Sequence, residues 1–357
     1  MQQAVEPKRF QRKLWRNKGA VMGTCIIAVS IFIALTCYQL APDASPFGNR
    51  MIPAIGSKSP GFTMQFLLIK QSGNQETGVL TKWVSGQKDT VQYLPIQAYQ
   101  LKGDSIIYEQ YIDEGLSKSG SIPLTQLATP NSITQKFYLG TDKFGRDMLS
   151  RLLIGTRVSL SVGLIAVLIS LTIGISLGAM AGYFRGWVDE LIMWLINVIW
   201  SIPTLLLVFA MTLLLGKGFW QVFMAVGLSM WVNVARLVRG QVMAVRELEY
   251  IEATRVLGFS HTRTIIKHIL PNIMGPVLVI AASNFASAIV LEAGLSFLGV
   301  GVQPPQPSWG LMIKENYNFI ITNNPALALA PGIAIMLLVL AFNLLGNGLR
   351  DAFAVKD

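Results

Sequence analysis

Residue types that do covalent or metal chemistry are scarce in this chain, and their spacing excludes most of what they could do. His261 and His268 are the only histidines, seven positions apart, with no cysteine or third histidine to complete a metal set. Cys25 and Cys37 share one apolar run, and the helix between them would hold them roughly 18 Å apart, too far to bridge. No glycine-rich loop ending in Lys-Ser or Lys-Thr is present to cradle nucleotide phosphates, so ATP chemistry has to come from another chain. No apolar run carries a Ser/His/Asp or paired-Asp arrangement of the kind an intramembrane protease needs. Enzyme is therefore a poor class for this sequence.

What remains is the chemistry of contact. In Leu248–Asn272, the spacing predicts a short amphipathic helix over Leu248–Leu257 with Tyr250, Ala253 and Leu257 on one face and Glu249 and Glu252 beside it. Gly258 can adopt the left-handed conformation that stops a helix, Ser260 suits the cap of the next, and Ile265, Ile266 and Ile269 form a new apolar stripe. Pro271 suits the first turn of a membrane span. Two readings share this pattern: a helix gripped by a partner's groove, or a surface helix lying on lipid headgroups. Elsewhere, Glu292 is the one acidic residue deep in an apolar run, with Asn284 two turns before it. Such a group faces a bundle interior, as part of a pathway or gate or as a packing group near the helix end. Pro203, in Ser201-Ile202-Pro203, can break a helix and turn carbonyls toward a cavity, or merely kink it.

The elements that must position these residues follow from composition. Hydrophobic residues make up 52%, charged residues 13%, and the mean hydropathy is +0.50. These values are too apolar for a soluble domain and fit an all-α integral membrane protein. The net charge of +10 does not point to nucleic acid, because Lys and Arg gather in short loops and no aromatic-interleaved basic groove occurs. Residues 1–18 read as a basic cytoplasmic tail, with Lys8, Arg9, Arg12, Lys13, Arg16 and Lys18 opposed only by Glu6. Residues 19–40 are long enough for an uncleaved first span. Residues 41–138 hold no spanning run and read as a small extracytoplasmic insertion. Its β-prone stretches are Val91–Leu94 and Ser105–Ile112, with a turn at Lys102-Gly103-Asp104. This insertion is either a contact surface for a binding protein or an addition that stabilises the outer face.

Residues 139–357 then form a core of five further spans, with a cytoplasmic loop at 239–272. The turn-rich Leu139–Arg151 precedes the first of these spans and predicts a capped interfacial helix, with Arg151 and Arg157 at the headgroups. The spans are expected at Ser159–Tyr183, Leu191–Leu215, Phe219–Val238, Ile273–Val300 and Leu327–Leu345. Gly163, Gly174, Gly178 and Gly182 supply small-residue surfaces for close packing in the first of these. A short outer turn is expected at Gly216-Lys217-Gly218, and an interfacial loop at Gly301–Pro325 with Trp309 at the membrane surface.

Glu252-Ala253-Thr254, Gly258 five positions after Ala253, and Leu270-Pro271 resemble the EAA loop of ABC importer permeases. Thr254 stands where a second Ala is usual, and His268 where Ile is common. The ending His268–Asn272, the stretch Leu139–Arg151, Glu292–Gly299 and Gln303–Gly310 are similar to the dipeptide, oligopeptide and nickel branch of that family. The resemblance is strongest from Leu139 onward, weaker over the first helix, and absent over most of 41–136.

It implies a type I permease fold of six transmembrane helices, multi-pass in the bacterial inner membrane with both termini cytoplasmic. The chain would resemble the second of two homologous permeases of a peptide importer. Implied partners are the other permease, two cytoplasmic ABC ATPase subunits, an extracytoplasmic substrate-binding protein, a di- or oligopeptide and membrane lipid, with no nucleic acid. The chain would need no cofactor, since ATP and magnesium would be bound by the ATPase subunits. The resemblance assigns ATPase docking and coupling to Glu249, Tyr250, Glu252, Ala253, Thr254, Leu257 and Gly258, with Glu252, Ala253 and Gly258 foremost. Two alternatives stand: nickel or another small solute as cargo, and a scaffold or receptor without transport.

Overall fold

The computed structural model of the chain describes residues 7–71, 78–216, 218–321 and 324–353. Residues 1–6 of the basic tail, Lys217 of the short turn and the terminal residues 354–357 lie outside the described residues. The helices are α1 (Pro7–Arg16), α2 (Lys18–Leu40), α3 (Val79–Ser85), α4 (Met148–Phe184), α5 (Gly186–Trp200), α6 (Thr204–Leu215), α7 (Phe219–Arg246) and α8 (Glu249–Val256). There follow α9 (His261–Arg263), a π-helical turn (Thr264–Ile269), α10 (Leu270–Leu298), α11 (Trp309–Asn316) and α12 (Ala326–Phe353). Among the described residues, five helical stretches are long and apolar enough to cross a membrane: α2, α4, α7, α9 through α10, and α12. The helices α5 and α6 form a pair bent by 92°. Helix is the expected form here, because in lipid each backbone N–H and C=O must be satisfied within its own segment.

The chain divides into two compact units. The first holds Met1–Ile31, Ser159–Gln303 and Ile335–Asp357. Its core is built around α7, whose Val234, Val238, Val242 and Val245 pack with Ala179 and Tyr183 of α4 and with Ile273 and Val277 of α10. The glycine stripe of α4 makes this possible. A Cβ at Gly178 would lie 2.5 Å from the Ala235 carbonyl oxygen, and one at Gly182 would lie 2.7 Å from that of Arg239. Gly163 meets the Phe285 ring of α10 in the same way. These are the small-residue surfaces that the sequence predicts.

The second unit holds Phe32–Val158 and Pro304–Ala334. It contains an antiparallel sheet of β1 (Phe62–Lys70), β2 (Val91–Lys102), β3 (Ser105–Asp113), β4 (Leu116–Pro123) and β5 (Leu127–Phe137), in the order β4-β3-β2-β1-β5. The Gly103-Asp104 turn joins β2 to β3 where expected, with Gly103 at φ +60°. The strands β1, β4 and β5 were not anticipated. Phe62–Phe66 alternates apolar and polar residues before the apolar run Phe66–Ile69, and β4 is polar through its middle, Ser117–Ser121. Within this unit Arg50 donates twice to Asp89 and faces the Tyr93 ring at 3.8 Å. Burial works against the Arg50 charge, but Asp89 and Asp43 outweigh it and hold the guanidinium above its ordinary pKa.

Three expectations need correction. Leu139–Arg151 does not give a separate interfacial helix, because α4 starts at Met148 and runs unbroken for 37 residues. Arg151 is not at a headgroup; it is buried with Arg146 between Asp142 and Glu315. Arg146 bonds Asp142 at 2.6 Å and Glu315 at 2.7 Å, and Arg151 reaches Glu315 at 3.3 Å, so opposite charges offset the cost of burial. Arg157 is likewise engaged, donating to the carbonyls of Ala34 and Val84. Finally, Trp309 is buried, and its indole N–H donates to the Leu152 carbonyl at 3.0 Å.

Candidate docking segment and polar cavity

Helix α8 follows α7 after a two-residue turn, with Leu248 extended at its N-cap and Glu249 and Glu252 in its first turn, where the helix dipole favours carboxylates. Its C-terminus is a Schellman motif. The Phe259 N–H donates to the Thr254 carbonyl (3.0 Å), the Gly258 N–H to that of Arg255 (2.9 Å), and Gly258 sits at φ +75°. The Ser260 hydroxyl then accepts from the Arg263 N–H at 3.3 Å and starts α9.

One face of α8 turns inward. Ile251 is fully buried in the core shared by α4, α7 and α10. Thr254 is buried beside it, its hydroxyl donating to the Ile251 carbonyl at 2.7 Å and lying 3.3 Å from the Thr264 hydroxyl. The opposite face is open: Tyr250 is 44% exposed, Leu257 70% and Val256 88%. Ala253, Glu249, Glu252 and Gly258 are exposed too. Partial burial raises the Tyr250 phenol above its ordinary pKa. Of the seven residues assigned by sequence, six thus share the open side. Thr254 departs from them and fastens the helix from beneath. Sequence reasoning missed Ile251 and Val256, though their alternation with the Tyr250 stripe is visible in the helical period.

The base of the segment is also tied down. The Tyr183 hydroxyl lies 3.0 Å from His261 Nδ1, with Arg246 and Arg255 over the Tyr183 ring at 5.7 and 5.4 Å. Arg185 pairs with Glu247. His268 stacks on Phe259 at 5.6 Å, and the Arg263 guanidinium lies over the same ring at 4.0 Å. The expected stripe of Ile265, Ile266 and Ile269 is only partly realised, for Ile269 is buried and Ile266 is exposed. The cause is the π-turn over Thr264–Ile269, whose extra residue per turn shifts the phase just before Pro271. Here the Leu270 N–H donates to the Ile265 carbonyl, and the Asn272 side chain donates to that of His268 at 2.6 Å.

A second feature lies in the same unit. The break between α5 and α6, together with α7, α10 and α12, encloses a cavity of about 410 Å³. Ile202 and Thr204, flanking Pro203, are part of its wall, while the Pro203 carbonyl accepts from the Leu207 N–H at 3.0 Å. Asn284 lines it. So do Asn233 and Asn343, which were not anticipated; an amide in an apolar helix was the available signal. The Trp200 indole donates to Asn233 Oδ1 at 3.2 Å, and Arg236 stacks on that indole at 3.6 Å. Glu292 is absent from the wall. It is buried near the end of α10, where it accepts from the Ser296 hydroxyl at 2.7 Å, and that oxygen accepts from the Val302 N–H at 3.1 Å. The Ser296 hydroxyl, oriented by the carboxylate, thus holds the end of α10 to the chain that follows it.

The chain is similar to known transport proteins. A glutathione transport system permease protein GsiD of Pectobacterium atrosepticum is 42% identical over 219 residues, 61% of this chain and 72% of the relative. A dipeptide transport system permease protein DppC of Alkalihalophilus pseudofirmus is 40% identical over 234 residues, 66% of this chain and 76% of the relative. An inward-facing structure of the MetNI methionine ABC transporter overlaps 57% of this chain and 97% of its own, at 18% identity and a TM-score of 0.47. Residues 174–356 match the family of binding-protein-dependent transport system inner membrane components. With that match across half its length, the chain belongs to this family of ABC importer permeases.

Proposed function

We propose that this permease carries di- or oligopeptides, glutathione among them, across the bacterial inner membrane, with α8 as the joint through which ATP hydrolysis on partner subunits moves its helices. The substrate class rests on the relatives named for glutathione and dipeptide transport. The observation that carries the coupling is the two-sided character of α8. Its open side offers two carboxylates and an apolar patch, while Ile251 on the other side is embedded in the core of α4, α7 and α10. An exposed apolar patch rimmed by charge is the mark of a binding surface. A helix loosely laid on lipid headgroups would not need so deep an anchor.

In this reading α5 and α6 together make one crossing, giving six spans, and both termini lie with α8 in the cytoplasm, where the basic tail also belongs. A second, homologous permease completes the pathway, and a binding protein delivers substrate from outside. ATP and magnesium are held by two ATPase subunits, whose closure draws α8 with them. Because α8 is fastened by Ile251 and Thr254 rather than tethered by a flexible loop, its displacement passes directly into the three helices around it. Hydrolysis therefore belongs to the partners and the permease contributes position.

Purification of the chain from its native membrane, with identification of what accompanies it and an ATPase assay with and without peptides, tests this. Recovery of a second permease and ATPase subunits with peptide-dependent turnover is the expected result. Recovery with non-ATPase partners, or turnover blind to peptide, overturns it and favours a scaffold or another cargo.

A further inference from the structure

We propose that the cavity bounded by the α5/α6 break, α7, α10 and α12 holds the transported solute by its peptide groups, and that Asn284 is the residue hydrogen-bonding them. The inference rests on the peptide-import reading above and deepens it to the level of a recognising side chain.

The lining carries the first part of the argument. Its polar groups are Ser229, Asn233, Ser283, Asn284, Ser287 and Asn343, among others, and no Asp, Glu, Lys, Arg or His belongs to it. Amides and hydroxyls both donate and accept, so they match a peptide group, which offers one N–H and one C=O. A wall of this kind has no fixed charge with which to select an ion. The rest of the wall, with Ile199, Leu207, Met230 and Val290 in it, is apolar and accommodates the carbon frame between the peptide groups. Its volume of about 410 Å³ falls among the pockets that hold small molecules.

Asn284 carries the second part. It is 4% exposed, lines the cavity, and its Nδ2 has no hydrogen-bond partner among the described residues. A buried donor without a partner is uncommon, because leaving it so is costly. An incoming peptide carbonyl oxygen supplies the missing acceptor for the Asn284 Nδ2. Position supports this use, for Asn284 and Asn233 stand at the middle of α10 and α7. That is the depth at which a solute is farthest from water on both sides. Because a peptide group is common to all peptides, recognition through it permits varied side chains, while charge selection is left to the binding protein.

The test compares two substrates and two permeases. The assembled importer, with its own binding protein, is reconstituted in vesicles, and uptake is measured by mass spectrometry for a neutral dipeptide and for its analogue with a trans carbon–carbon double bond in place of the peptide bond. Asn284→Leu should lower uptake efficiency for the dipeptide by about three- to tenfold, the size of one hydrogen bond. It should change uptake of the analogue by less than twofold. The same binding protein serves both permeases, so its own preference cancels in the ratio. Asn284→Ala, which adds no bulk, is run alongside in case the leucine prevents assembly.

Equal losses for both substrates, or no loss for either in an assembled importer, would overturn the inference while leaving peptide import standing. Failure of the unaltered importer to take up any peptide would overturn the import reading and this inference together.

Discussion

Ile251 has no charge and touches no solvent, and it fastens α8 into the core of α4, α7 and α10. Ile251→Ala leaves a hole where α4, α7 and α10 meet, with a cost of about 2–5 kcal/mol for an enclosed isoleucine. The expected outcome is a lowered melting temperature and peptide-independent ATPase activity, with the partner subunits still bound because the outer face is untouched. Gly258 tests the joint differently. A Cβ there would meet nothing within 4 Å, so any penalty comes from its φ of +75° and not from crowding. Gly258→Val should cost about 1–2 kcal/mol and loosen the end of α8, whereas Gly258→Asn, which tolerates the left-handed region, should keep most of the coupling. Stimulated ATPase rates of the two variants in one preparation decide the matter, and equal loss in both would count against the cap. At the other buried polar cluster, Glu315→Ala removes the carboxylate shared by Arg146 and Arg151. Breaking such a pair costs about 3–5 kcal/mol, so thermal unfolding should shift well below that of Glu315→Asp.

Among the elements, the π-turn over Thr264–Ile269 has the clearest consequence. It sits between the docking segment and α10 and inserts one residue into the helical path. Ile266 is exposed within it. Deleting Ile266 should restore α-helical phase and turn α9 about 100° relative to α10, since one residue is that fraction of a turn. Thr264 would then leave Thr254, and Tyr183 would lose His261, contacts that now stand at 3.3 and 3.0 Å. The expected result is an inserted protein that no longer couples hydrolysis to transport, read by protease protection of its loops and by uptake. The α5/α6 break is the second irregular element. Ile202 and Thr204 on either side of its proline border the cavity, and the Pro203 carbonyl is satisfied by the Leu207 N–H.

For the molecule as a whole, the five-stranded sheet begins and ends at one place. Phe62 of β1 is the cross-strand partner of Phe137 of β5, and the Gly61 N–H donates to the Phe137 carbonyl at 2.8 Å. Residues 62–137 can therefore be replaced by a short linker without stretching the chain. Leu67, Ile96, Ile106 and Leu127 form a cluster that leaves with it, although Ile52 and Ile55 lose their cover. Such a variant is expected to insert, to bring down its ATPase subunits and to retain basal ATP hydrolysis. Stimulation by the binding protein is the informative measurement, because its loss would assign the sheet to that contact and its retention to stabilisation of the outer face.

The sequence by itself determined the membrane class, the long apolar runs, the glycine stripe of α4, the helix stop at Gly258 and the resemblance to the family. Each of these depends on local composition or spacing, and the 3.6-residue period transmits them without knowledge of neighbours. For α8 it showed the face of Tyr250, Ala253 and Leu257, but the inner face of Ile251 and Thr254 was settled only by packing. Tyr250, Ala253 and Leu257 are as periodic as Ile251 and Thr254, and only the core of α4, α7 and α10 distinguishes them. The same limit hid the buried state of Arg151 and Trp309, whose partners Glu315 and Leu152 are more than 150 positions away. It hid the cavity too, since Asn233, Asn284 and Asn343 come from three helices and meet only when these pack. Periodicity is a property of the backbone, but the partner of each face is a property of the whole fold.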